Sequence, residues 1–389
     1  MKKIIAVAFA LLLSVLDLSA DRRAIISLIT CEPGQEIYEL EGHSGLRILI
    51  PGETDMVANW GVFDFNTPNF AYRFTKGETD YMMAFEPTSN FLNRYHQNGR
   101  SVKEQVLALS DEETEAIIRM MQVNALPENR TYRYNYIKDN CATRPLELIS
   151  IAIADTLTFC EKPKFDSFRD AMKFYHMNYP WYQFGIDLAL GGDIDKGITI
   201  REETFAPVRL YEIIATATRN NGEPIVKECR TLVNFDKSPV LSPTPFYLSP
   251  IFFSFIILAV TTIICYLSFH KKKIIKSWNF ILFFLFGILG LVLTFLIFIS
   301  EHEATGRNFL YLWLNPLVLL ISLTILIKRL EKLSYWLQII NFALVFSLLI
   351  VAILSLQKLN PAFYPLIISD LMCSITFIYI YRWQKKHHR

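Results

Sequence analysis

Beyond residue 248 the chain is dominated by five apolar stretches, near Leu248–Phe269, Trp278–Ser300, Tyr311–Ile327, Tyr335–Leu356 and Phe363–Tyr381. Each is long enough to cross a hydrocarbon core about 30 Å thick. A backbone in lipid must satisfy its own hydrogen bonds, so these stretches are expected to be helices packed as a bundle. Basic residues follow every second span: Lys271-Lys272-Lys273, then Lys328-Arg329 with Lys332, then Arg382 with Lys385-Lys386. Positive charge collects on the cytoplasmic side. That bias exports everything before residue 248, together with the loops Glu301–Leu310 and Gln357–Ala362.

The N-terminus agrees. MKKIIAVAFALLLSVLDLSA has two lysines, a short apolar core and small residues at Ser19-Ala20, as in a signal peptide over residues 1–20. A retained N-terminal helix is the alternative, because Asp17 and Leu18 make an untidy cleavage region. Residues 21–247 are then an exported domain of single-core size closing in the proline-rich linker SPVLSPTPFYLSP, and 248–389 are the membrane domain with a cytoplasmic tail. With a net charge of +2, nothing in the composition argues for nucleic acid, and 52% hydrophobic residues argue for a membrane.

The exported half carries one stretch with a chemical signature, Asp139-Asn140-Cys141-Ala142-Thr143-Arg144-Pro145. Asp139 or Asn140 suits an N-cap, Pro145 suits a first turn, and Ala142, Leu146, Ile149 and Ile153 recur at helical spacing. Cys141 is therefore expected at a helix start, where free N–H groups and the dipole favour a thiolate. Upstream, His43 opens the strand-like run ending at Ile50. A turn at Pro51–Asp55 and a second run, Met56–Phe65, complete a hairpin. Pairing Ile50 with Met56 would set Asp64 near His43 as the residue orienting the imidazole, with Asn59 as the alternative. A cysteine at a helix start with an upstream histidine is the pattern of an activated nucleophile and its base.

Other elements read more simply. RAIISLIT (Arg23–Thr30) is expected as a strand beside the hairpin, Phe70–Phe85 as strand pieces broken at Lys76-Gly77, and Val102–Leu109 as a strand. Ser110 and Glu113 make a capping box for a helix ended by Pro127. Helices are expected over Phe168–Tyr175, Tyr182–Leu190 and Pro207–Thr218, and a strand over Ile225–Val233. Asp193 and Asp195 lack the ligand string of a calcium loop, and no cysteine spacing makes a zinc site, so no metal and no cofactor are expected. With Cys141 reserved for chemistry, Cys31, Cys160 and Cys229 allow at most one disulfide.

A hairpin whose first strand carries His, followed by a helix opening with Asn-Cys, resembles the circularly permuted papain-like fold of lecithin retinol acyltransferase and NlpC-type proteins. GHSGLRI, NWGVFDF, RFTKGETDY, DNCATR, FGIDLALGGDID and EHEATGRNFLYLWLNP together are similar, in order, to the Bacteroides-type lipoprotein N-acyltransferases. The resemblance implies an α+β chain: a permuted papain-like exported domain followed by five transmembrane helices in the inner membrane. It also implies catalytic Cys141, His43 and Asp64, and substrate contacts at Asn140, Arg144, His302 and Asn308. The implied partners are a phospholipid acyl donor, membrane lipid and a diacylated lipoprotein whose α-amine accepts the chain. A membrane-anchored thiol hydrolase, either a cell-wall peptidase or a phospholipase, is the rival reading. A non-enzymatic membrane sensor is the third.

Overall fold

In this computed structural model, residues 23–63, 68–154 and 157–387 are described. The expected signal peptide and Asp64 lie outside them. The exported half contains strands β1 (Ile25–Cys31), β2 (His43–Ile50), β3 (Thr54–Val62), β4 (Asp80–Pro87), β5 (Val102–Leu107), β6 (Thr131–Arg133), β7 (Leu157–Thr158), β8 (Thr218–Arg219) and β9 (Val226–Val233). Its helices are α1 (Phe70–Lys76), α2 (Thr88–Gln97), α3 (Asp111–Ala125), α4 (Thr143–Ala152), α5 (Phe168–Tyr175), α6 (Pro180–Ala189), α7 (Ile200–Glu203) and α8 (Pro207–Thr216). The membrane half contains α9 (Pro250–Lys271), α10 (Lys276–Phe298), α11 (Pro316–Leu326), α12 (Glu331–Ile353) and α13 (Phe363–His387). The class is α+β.

Seven strands form one antiparallel sheet in the order β6-β4-β3-β2-β1-β5-β9. Alternation along the strands sorts two cores. Leu28, Leu46, Ile48, Ala58 and Trp60 pack against α3, α4 and α8 through Ile117, Met121, Leu146, Ile149, Leu210 and Ile214. Ile29, Cys31 and Val57 face the other way, onto Phe91 and Tyr95 of α2. Ile149 is fully buried where α4 meets the sheet, so Ile149→Ala costs about 2–5 kcal/mol and loosens the helix that follows Cys141.

Phe70–Lys76 departs from the expected strand and is helix α1. Phe70 and Phe74 stack across one turn at 6.0 Å, and Gly77 closes the helix at φ 82°, a left-handed conformation that costs glycine little. Arg73 and Lys76 occupy the last turn, where cations are favoured.

Five helical segments are long and apolar enough to span a membrane: Pro250–Lys271, Lys276–Phe298, Phe309–Leu326, Lys328–Ile353 and Phe363–His387. The third is interrupted, and Asn315 caps its main helix by accepting from Leu317 N at 3.0 Å. α10 and α11 approach closely at Gly287 and Gly290, where an added Cβ would lie 2.6 Å from the backbone of Leu319 and Asn315. Between α12 and α13, fully buried Asn341 donates to Asp370 at 2.6 Å, a polar contact inside the bundle.

The exported domain is clamped to the bundle at two places. At α1, Glu301 N donates to Lys76 O (2.8 Å), Ser300 Oγ to Thr75 O (2.9 Å) and His302 Nε2 to Phe74 O (2.8 Å). Arg133 adds an ion pair to Glu301 at 2.8 Å, and Lys138 pairs with Glu303. At α6, the motif FGIDLALGGDID forms the seat. Gly191 N donates to Ala304 O and Gly192 N to Arg307 O, both at 2.8 Å. An added Cβ would meet Arg307 backbone at 2.5 Å or Leu356 O at 2.4 Å, so only glycine lets the membrane loops approach. Fully buried Arg169 ties the seat together through Asp187 (2.7 Å), Asp195 (2.8 Å), Leu190 O (3.0 Å) and Gly191 O (2.8 Å). Asp193 pairs with Lys196 and Arg307, so all three acidic residues of this motif serve the seat.

Candidate active site

Asn140 builds the turn that presents Cys141. Its Oδ1 accepts from the amides of Ala142 (2.8 Å) and Thr143 (3.0 Å), and its Nδ2 donates to Tyr136 O (2.7 Å) and Phe205 O (3.0 Å). Asn140 therefore fixes the turn just ahead of α4, whose N-cap is Ala142, and its amide is buried. Arg144 is likewise engaged, bidentate with Asp139 at 2.5 and 2.8 Å and 3.6 Å from the centroid of the Tyr132 ring. A fifth of its side chain (21%) stays exposed beside the turn.

Strand β2 is pinned to that turn. Ser44 Oγ donates to Cys141 O at 2.8 Å, and the Ser44 amide faces the thiol. From β3, Gly61 looks onto Cys141; at φ 89° it carries no side chain that would cover the sulfur. His43, the first residue of β2, turns to the other side of the strand and hydrogen-bonds Asn59 of β3, Nε2 to Oδ1, at 2.6 Å. Thiol and imidazole thus address the same end of the β2–β3 ladder. Among the described residues, no side-chain hydrogen bond joins them directly.

Asn59 comes within reach of the imidazole because the hairpin is tighter than a pairing of Ile50 with Met56. Ile50 pairs with Thr54 and Ile48 with Met56, which brings Asn59 opposite Gly45. Asn59 Nδ2 donates to Glu86 at 3.3 Å, and Glu86 is held by Arg94 at 2.7 and 2.9 Å. That chain orients the amide so that its oxygen faces the histidine. An oxygen can only accept, so Nε2 carries the proton and Nδ1 keeps its lone pair.

Both groups rest neutral. Burial pushes the Cys141 thiol up to about 11, against the opposing pull of the Ser44 amide and its own amide. The helix-start effect expected to favour a thiolate is present but loses to desolvation. Burial likewise lowers the His43 imidazole to about 4, with the Asn59 hydrogen bond opposing. Behind the site, Glu41 accepts from His176 Nε2 (2.7 Å) and from the Tyr136 hydroxyl. His176 Nδ1 meets Gln183 of α6 at 2.8 Å. The same helix sets Phe184 on Phe363 (5.0 Å) and Trp181 on Phe253 (5.8 Å) of the spans, linking site and membrane.

The remaining expected contacts lie at the clamps. His302 gives its ring nitrogen to Phe74 O. Asn308 is buried, with Nδ2 on Leu188 O (2.8 Å) and Oδ1 accepting from Leu310 N (3.0 Å) and Gln357 (3.2 Å). Both hold the membrane loop to the exported domain. All six cysteines are free thiols, Cys31 buried and Cys160 and Cys229 exposed.

Comparison with known families is decisive at the level of architecture. Residues 17–173 match the model of the Lnb N-terminal periplasmic domain, and residues 242–386 match that of the Lnb transmembrane domain. The chain belongs to the Lnb family, with the Bacteroides-type lipoprotein N-acyltransferase architecture. It is a lipoprotein-processing, multi-pass membrane protein with a periplasmic N-terminal domain. No curated protein and no solved structure matched the chain significantly.

Ser44, Gly61 and Glu41 were not singled out by the sequence. Ser44 and Glu41 flank the histidine motif, and Gly61 interrupts an otherwise strand-like run. Those were the available signals.

Proposed function

We propose that the protein is a lipoprotein N-acyltransferase of the inner membrane, working through a thioester on Cys141 in a permuted papain-like domain. The observation that carries this reading is the Nε2–Asn59 hydrogen bond at 2.6 Å, which leaves His43 Nδ1 free as a base at the ladder end where Cys141 lies. On substrate binding, Nδ1 takes the thiol proton as sulfur attacks the ester carbonyl of a phospholipid. Active-site hydrogen bonds often tighten only with substrate in place. The amides of Ser44 and Cys141, both directed at the sulfur, become donors to the oxyanion that forms beside it. The carbon–oxygen ester bond breaks, and His43 returns its proton to the departing lysophospholipid.

The second half-reaction runs through the same groups. The α-amine of a diacylglyceryl-cysteine attacks the thioester, His43 removes the amine proton, and the thiolate leaves and is reprotonated. Amide, lysophospholipid and free thiol are the products, and no external oxidant or metal is required by the balance.

Mass spectrometry of the full-length protein incubated with phospholipid tests the first step. A Cys141 acyl adduct is expected, discharged by a diacylated lipopeptide with a free amine and untouched by its N-acetylated form. Free fatty acid accumulating over many turnovers, with no triacylated product, would instead establish a hydrolase.

A further inference from the structure

The two clamps fix how deep α1 sits. Tyr72 of α1 packs on Phe295 of α10 at 6.0 Å, one turn inside the end of that span at Phe298. α1 therefore lies at the membrane boundary, yet Tyr72 remains 55% and Phe74 49% exposed. Large exposed aromatics held at that level face lipid rather than water.

From α1 a file of rings leads inward. Phe74 stacks on Phe70 at 6.0 Å, Phe70 on Phe63 at 6.1 Å, Phe63 meets Tyr81 at 4.8 Å, and Tyr81 stacks on Tyr134 at 4.3 Å. Phe63, Tyr134 and Cys141 pack against one hydrophobic core. Among the described residues, these ring contacts run in series from α1 at the level of the lipid chains to Tyr134, which shares a core with Cys141. Gly61 adds no side chain beside Cys141.

We propose that this file, Phe74–Phe70–Phe63–Tyr81–Tyr134, is the seat of one phospholipid acyl chain, drawn from the periplasmic leaflet with its ester at Cys141. A protein segment is the weaker occupant, because the file starts inside the bilayer boundary, where hydrocarbon chains are the abundant apolar species. The choice of an acyl donor rests on the acyltransferase reading; the presence of a lipid chain does not.

The test uses the full-length Cys141→Ala protein in bilayers containing phosphatidylethanolamine with a diazirine on one acyl chain. Photocrosslinks are expected on peptides containing Phe63, Phe70–Tyr81 and Tyr134, as well as on the spans. Labelling confined to the spans overturns the proposal. In the Cys141-intact protein, Phe70→Ala and Phe74→Ala test chain selectivity against a water-soluble butyryl ester. The ratio of palmitoyl-phospholipid to butyryl acylation should fall at least tenfold. Both variants alter an exposed or half-buried ring, and an unchanged melting temperature certifies their fold. An unchanged ratio counts against the file. Labelling of the file in the Cys141→Ala protein, with no acyl adduct ever formed by the Cys141-intact protein, would refute acyl transfer while upholding the lipid seat.

Discussion

Replacing Asn59 by alanine removes the acceptor that fixes the His43 tautomer. The lost contact is a single neutral hydrogen bond at 2.6 Å, and it strands a buried Nε2–H. Leaving such a donor unpaired costs about 1–3 kcal/mol. If that penalty falls on the base-competent tautomer, thioester formation slows by about 5- to 150-fold. Asn59→Asp acts differently. A carboxylate at Nε2 favours the imidazolium and lifts its pKa by about 1–3 units. The lower limb of the pH–rate profile, set by His43 at about 4, then moves upward. Glu86, 3.3 Å from the Asn59 amide nitrogen, opposes the new charge and keeps the shift toward the small end. The assay is single-turnover acylation in phospholipid bilayers, read by intact mass between pH 4 and 8. Wild-type rates in Asn59→Ala, with an unmoved limb in Asn59→Asp, would refute the assignment of Asn59 as the orienting residue.

Four further outcomes are expected. With its thiol held up to about 11, Cys141 is ionised to only a few parts in ten thousand at pH 7.5, so iodoacetamide should label it roughly 300-fold more slowly than an ordinary thiol. Labelling of Cys141 ahead of the exposed Cys160 and Cys229 would contradict the neutral resting pair. His43 has a folded pKa of about 4 against 6.5 unfolded, so the unfolded chain takes up the proton first as pH falls. Its contribution is present above pH 6.5 and lost on descent toward 4, at most about 3 kcal/mol and less for a ring still partly open to solvent. The melting difference between wild type and His43→Gln should therefore change across that window and stay flat above it. Arg169→Ala strands the buried carboxylates of Asp187 and Asp195, costs about 3–5 kcal/mol, and should expose the α5–α6 seat to limited proteolysis. Cysteines placed at Glu303 and at Lys272 should react from opposite sides of the membrane, and reaction of both from one side rejects the topology.

The membrane half was legible because its constraint is severe: lipid admits only self-satisfied helices, and charge bias orients them. All five spans fall where expected, with ends that move by two residues at Pro250–Lys271 against Leu248–Phe269 and by as many as seven at Lys328–Ile353 against Tyr335–Leu356. The hairpin, the Ser110–Glu113 capping box and the Cys141 helix were legible for local reasons, since each is encoded by turn, cap or periodicity within one segment. What failed was tertiary. Phe70–Lys76 has the aromatics of a strand, and its helical state is tied to its docking on Glu301 and His302, far along the chain. The hairpin register shifted by two residues because the turn was shorter than its sequence suggested, and it brings Asn59, the expected alternative, to His43. His302 and Asn308 stood out as polar residues in a loop beside the site. Their hydrogen bonds to Phe74 O and Leu188 O also join the domains, a role that local sequence does not report. The expected thiolate failed on burial, a quantity no local motif reports.

The clamps also bear on how the chemistry is confined. A domain on a flexible linker would sample many heights above the bilayer, and its site would meet lipid esters only in a fraction of them. Here the proline-rich linker is not the connection that sets height. Gly191 and Gly192 admit two membrane loops into backbone contact, and α1 is hydrogen-bonded to the end of α10. α6 then carries both relations at once, with Phe184 on the spans and Gln183 on the His176–Glu41 group behind the histidine strand. An error in docking therefore reaches the site through rigid elements rather than being absorbed by a hinge. Effective concentration favours this arrangement, since fixing a reactant at the productive height replaces a search with a pre-set geometry. Gly191→Ala, which moves the seat while leaving Cys141, His43 and Asn59 untouched, should slow acylation from bilayer phospholipid more than from a water-soluble ester. Equal slowing on both substrates would mean that the clamp supports the fold of the site and does not set its height.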